Sequence, residues 1–208
     1  MHYEEYKTAS ERHLETCLNL EQLIVNNSIT DTKRKNEILA NIYYLSGYVI
    51  ECIVNYGILT HIKFAEIEKE QLKELKRKYP TLNHNFSFKQ LLQDHNKYKV
   101  TYSQQKEPSA KYHLYKTGHQ LNSGRTTSLY YFKNECAQNT YIDSIHSVLI
   151  KQREVKKMFD NWNVEVRYSI NSLLNTNSTT INSADVLAFL SFAKLVNFNL
   201  SYHIIPKL

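Results

Sequence analysis

Apolar residues recur at three- and four-residue spacing along most of this chain, a period that predicts helices. Over residues 3–26, Leu14, Cys17, Leu18, Leu20 and Leu23 follow it, and Asn26-Asn27-Ser28 breaks it. A second helix is predicted from an N-cap at Asp31 or Thr32 to about His61. It is the most apolar, with Ile38, Ile42, Leu45, Val49, Cys52, Ile53, Tyr56 and Leu59 on one continuous face. Asn41, Ser46, Glu51 and Asn55 interrupt it, so it reads as a buried core helix and not as a membrane span. From Phe64 to Lys78, Glu and Lys stand at helical pair spacings, predicting a solvated helix that Tyr79-Pro80 ends. A short helix is predicted from about Ser87 to Lys97. Another covers 143–161, with Ile145, Val148, Leu149, Val155, Met158 and Phe159 apolar. Asn175 to Thr180 is a polar linker. Ser183 is the expected N-cap of a last helix carrying Val186, Leu187, Phe189, Leu190, Ala193, Val196 and Leu200. There is no internal repeat.

Composition supports a single all-α domain over residues 1–208. With 42% hydrophobic residues the chain can build a core, and with 4 Gly and 3 Pro it has few breakers, which favours long helices over a many-turned β fold. Cys17, Cys52 and Cys136 are odd in number and form no CxxC pair, so neither a disulfide framework nor a zinc site is expected. Cys52, on an apolar face, reads as a small core residue. Met1 to Tyr6 lack the basic-then-apolar pattern of a secretion signal, and a reducing cytoplasm is the expected location. No membrane association, metal or cofactor is expected.

Charge separates one segment from the rest. Residues 97–134 hold Lys97, Lys99, Lys106, Lys111, Lys116, Arg125 and Lys133 against the single acidic Glu107, a formal charge of +6 that equals that of the whole chain. The segment also has Tyr98, Tyr102, Tyr112, Tyr115, Tyr130 and Tyr131, no helical period, and glycines at 118 and 124. It reads as an insertion on the bundle, either a loop or a small hairpin pairing Ala110–Lys116 with Ser128–Asn134. Lysines that neutralise phosphates, interleaved with rings that stack on bases, suit single-stranded nucleic acid, and Lys111, Tyr112, Tyr115, Lys116 and Arg125 are the candidate RNA-binding residues. The same composition also suits a solvated loop whose tyrosines close over the bundle.

Three ionisable residues lie in or beside apolar patterns. Glu51, on or beside the apolar face of the second helix, needs a partner if buried, and Arg167 is the natural one because its planar fork holds carboxylates at two points. His84, before the short helix at Ser87, can cap that helix or transfer protons.

Two stretches carry a family resemblance: Tyr44-Leu45-Ser46-Gly47-Tyr48 with Glu51-Cys52, and Trp162-Asn163-Val164-Glu165-Val166-Arg167-Tyr168. In their order, with the His84 loop between them and an amphipathic helix after Ser183, they resemble the signature stretches of HEPN domains. The resemblance covers most of the chain and excludes 97–134. It implies a bundle of four to five helices, usually a homodimer, that handles RNA or nucleotides in bacterial defence or toxin–antitoxin modules. Nuclease members carry Arg, four to six residues, then His at the start of a late helix, and cut RNA without metal. No histidine follows Arg167 at that spacing. Arg77 and His84 have six residues between them, but they straddle Tyr79-Pro80 at a helix end. The expectation is therefore a binding protein without standard nuclease catalysis. The alternatives are a divergent metal-independent endoribonuclease using Arg167, Tyr168 and His84, or an adaptor that pairs with an antitoxin, a nucleotidyltransferase or another effector.

Overall fold

The computed structural model describes residues 4–61, 139–162 and 181–207. These form an all-α bundle of five helices: α1 (Glu5–Val25), α2 (Thr32–His61), α3 (Thr140–Lys151), α4 (Arg153–Asn161) and α5 (Ser183–Asn199). A π-helical turn, Leu200–Ile204, and a 3-10 turn, Ile205–Lys207, continue α5.

Helix α2 is the spine. Its apolar residues occupy more than one stripe: Ile38, Ile42, Val49 and Ile53 are buried, and so are Leu39, Tyr43, Ile50 and Val54. A helix apolar on several sides must be covered on several sides. Helix α1 covers one flank and runs antiparallel, since Cys17 meets Ile42 and Ser46 while Ser10 meets Val49. Helix α5 covers another and runs parallel: Asn36 bonds the backbone N–H of Ile181, Tyr43 packs on Phe189, and Asn197 reaches Ser10 beside Val49. By length and composition alone, Thr32–Gly57 could cross a membrane; in this fold most of it is buried by the surrounding helices.

Local signals set the ends. Asp31 accepts from Lys33 N–H at 3.0 Å and starts α2. Asn27, at φ 49°, takes the left-handed conformation that stops α1, as an asparagine tolerates. At the last helix the cap is Asn182, whose Oδ1 accepts from Ala184 N–H at 3.0 Å, and Ser183 is the first helical residue, so the cap falls one position earlier than expected. On α1 the buried stripe is Ala9, Ser10, Cys17 and Ile24, and Leu23 is 40% exposed.

The single helix expected over 143–161 is two. Ile142, Ile145 and Leu149 form the buried stripe of α3. At about 100° per residue, a continuous helix would carry Val155 and Met158 roughly 120–180° away from Leu149, off the core, and Phe159 about 80° away. Gln152 instead adopts an extended conformation (φ −107°, ψ 92°), the chain turns, and all three residues are buried in α4. Its Met158 carbonyl, in the last turn where helical partners run out, accepts from the buried Tyr43 hydroxyl at 2.7 Å.

Of the remaining expectations, the helices at Phe64–Lys78 and Ser87–Lys97 and the segment 97–134 lie outside the described residues.

Candidate functional site

The first signature stretch and the start of the second meet in space. Trp162 leaves α4 in extended conformation (φ −70°, ψ 130°) and lays its indole across α2. Indole Nε1 donates to the Tyr44 carbonyl at 3.1 Å. The ring lies directly on Gly47, where a Cβ would overlap Cε2, Nε1 and Cδ1 of the indole. Glycine in mid-helix costs roughly 1 kcal/mol against alanine, and here the close approach of the ring requires it. Tyr48 meets the indole edge to face, with centroids 5.2 Å apart, and Tyr44 meets Tyr48 at 4.9 Å. The two remaining helix-facing groups are buried: Ser46 lies against Cys17, and Val49 receives the Ser10 hydroxyl at 2.8 Å.

The seam between α1 and α2 carries further ionisable groups. Tyr6, Ser10, His13 and Cys17 fall on one helical stripe of α1. The His13 ring lies 5.6 Å from that of Tyr48. Burial, and then the Arg12 charge, lower the His13 pKa, favouring neutral imidazole. Burial raises the Tyr48 phenol, with its hydrogen bond to Tyr44 and the charges of Tyr44, Glu51 and Cys52 adding to the effect. Tyr6 is raised by burial and then by Cys52 and Glu51. At neutral pH the seam therefore presents protonated phenols, which donate hydrogen bonds, and a neutral imidazole, beside the Glu51 carboxyl group, one oxygen of which is buried. Cys52 is a buried core thiol, pushed up to about 12 by burial and then by Glu51.

Among the sequence-predicted site residues, Glu51 is described, half-buried on α2. Arg167, Tyr168 and His84, and with them the Glu51–Arg167 pair, lie outside the described residues, as do Lys111, Tyr112, Tyr115, Lys116 and Arg125. Sequence pattern alone did not single out His13 and Tyr6. The available signal was their place on the stripe shared by Ser10 and Cys17, which the leucines of α1 obscured. Among the described residues no group of three or more His, Cys, Asp or Glu side chains could hold a metal ion.

Comparison with protein-family models, with curated proteins and with solved structures finds no match.

Proposed function

We propose that this chain is a HEPN-like protein that binds RNA or nucleotides in a bacterial defence or toxin–antitoxin module, acting in the cytoplasm as a homodimer. The docking of Trp162 on Gly47 carries the proposal. It joins the two stretches on which the resemblance rests, 115 positions apart in the chain, through one specific hydrogen bond and one glycine contact. Arg167 follows Trp162 by five positions. In this reading Arg167 pairs with Glu51 near the Tyr44–Tyr48 seam, and the basic, tyrosine-rich residues 97–134 supply the electrostatic attraction to RNA.

The test is a salt titration of RNA binding by the wild type and by a Lys111→Gln, Lys116→Gln, Arg125→Gln triple variant. Every side chain that neutralises a phosphate adds about 0.7 to the slope of log affinity against log salt for single strands, so the triple variant should show a shallower slope. Wild-type protein that fails to bind RNA or nucleotides at low salt would remove the proposal.

One observation favours the ribonuclease alternative: the imidazole of His13, kept neutral at the same seam, is suited to accept a proton. Incubation with total RNA in EDTA, beside an Arg167→Ala variant, separates the two readings. Metal-independent cleavage by wild type alone makes the protein an enzyme, and binding without cleavage keeps it a binder.

A further inference from the structure

We infer that the turn closing α5 is a stacking ledge for single-stranded RNA, an inference that rests on the RNA-binding reading and assigns it a second surface. After Asn199 the helix widens: the Ile205 N–H bonds back five residues to the Leu200 carbonyl, forming a π-helical turn. Such turns are rare and are often found at functional sites. Here the turn gathers four rings. Phe198 lies 5.2 Å from Tyr202 and 5.3 Å from His203, and His203 stacks parallel on Tyr141 of α3 at 3.9 Å. The Lys207 ammonium stands 5.9 Å from the Tyr141 centroid.

The inner side of this ledge is fixed. Leu200, Ile204 and Ile205 are buried, and the Asn199 amide donates to the Tyr141 carbonyl at 3.2 Å and to Ser144 Oγ at 2.9 Å. The outer side is not covered: Phe198 is 53% and Tyr202 66% exposed. Rings held at fixed positions and open to solvent can stack on bases without reorganisation, and each stacked base gains affinity whatever its identity.

Charge decides the occupant. From Val186 to Leu208 the chain has no Asp or Glu; Lys194 is paired with Glu21 of α1 at 2.7 Å, and Lys207 is the lysine that stands at the rings. Asp143, the acid nearest Tyr141 in α3, lies about 200° around that helix from it. Open aromatic rings beside the Lys207 ammonium, on a segment without acids, match a polyanion that carries bases. A protein partner fits less well. Two aromatic side chains offer at most about 500 Å² between them, against roughly 800 Å² per partner in a stable interface.

The test uses the full chain and a fluorescein-labelled oligouridylate, read by anisotropy. Phe198→Ala, Tyr202→Ala protein is expected to bind roughly ten- to a hundredfold more weakly, with an unchanged circular dichroism spectrum and melting temperature because both rings are exposed. Tyr202→Phe, which keeps the ring, should bind like wild type. Lys207→Gln should lower the salt slope by about 0.7. Undiminished binding by the double-alanine variant, while the Lys111, Lys116, Arg125 variant fails, overturns the ledge and leaves the RNA reading standing. Absence of binding by wild type removes both. A dimer that dissociates in sedimentation, with RNA affinity unchanged in the double-alanine variant, would make this face a protein interface and also overturn the inference.

Discussion

The indole of Trp162 occupies the space that a side chain at Gly47 would need, and its Nε1 donates to the Tyr44 carbonyl one turn earlier on the same helix. Gly47→Ala is therefore a test of the bundle's central contact. Alanine would gain about 1 kcal/mol in helix propensity, yet its methyl must displace a buried ring, and overpacking costs up to about 3 kcal/mol. The net expectation is a destabilisation of roughly 2 kcal/mol in urea unfolding. Trp162 is the chain's only tryptophan, so its emission should shift to the red as the ring is pushed towards water. Equal or greater stability with unchanged emission would contradict the contact.

Tyr43 ties the spine to α4. Its buried hydroxyl donates to the Met158 carbonyl at 2.7 Å, a carbonyl in the final turn of a nine-residue helix. Tyr43→Phe keeps the ring and its edge contact to Phe189. It leaves the carbonyl without this donor, at a cost of about 1–2 kcal/mol. The check is a denaturant midpoint, and a variant as stable as wild type would show that the bond contributes nothing net.

A polar relay joins three helices. Asn197 Nδ2 of α5 donates to Ser10 Oγ of α1 at 2.7 Å, and Ser10 Oγ donates to the Val49 carbonyl of α2 at 2.8 Å. Ser10 is fully buried and Asn197 nearly so. Ser10→Ala removes the acceptor of the amide and the donor to the carbonyl together, so it should cost about 2–3 kcal/mol. Asn197→Ala should cost less when Ser10 is already alanine. A double-mutant cycle with a coupling near zero would show that the two bonds act independently.

The sequence exposes helices whose stripe stays in phase. Helix α2 is legible because its apolar face is continuous and Asp31 marks its start. The break at Gln152 is also visible in principle: Val155 and Met158 are out of phase with Leu149, and counting angles across 143–161 separates α3 from α4. The site is only half legible. Tyr44, Gly47 and Trp162 stand out as short segments, but nothing local says that a glycine and a tryptophan 115 positions apart will touch. His13 escapes because a histidine on an amphipathic stripe looks like any half-buried polar residue until the helix opposite, with Tyr48, is in place. The exposed Tyr202 escapes for a different reason: it lies in the π-helical turn, which shifts the phase of α5, so a 3.6-residue period cannot place its ring beside Phe198.

Buried thiols and phenols make the fold sensitive to alkali. Burial pushes Cys17 from its ordinary 9.0 up to about 11 and Cys52 up to about 12. Tyr43 is raised from its ordinary 10.0 by burial as well. Below pH 9 these groups are protonated in both the folded and unfolded chain, and their contribution to stability is fully present. Above pH 9 the unfolded chain gives up thiol protons that the folded chain keeps. The unfolded state then binds fewer protons, and stability falls as pH rises until the folded groups also ionise. Each thiol contributes up to about 1.4 kcal/mol per pH unit in that window. Urea midpoints should therefore be level from about pH 7 to about pH 8.5 and fall steeply by about pH 10.5. Cys17 and Cys52 should react with a thiol reagent at about pH 8 only on unfolding. A Cys17→Ala, Cys52→Ala variant should show a shallower alkaline slope. The same slope in that variant as in wild type would mean that the phenols, and not the thiols, carry the effect.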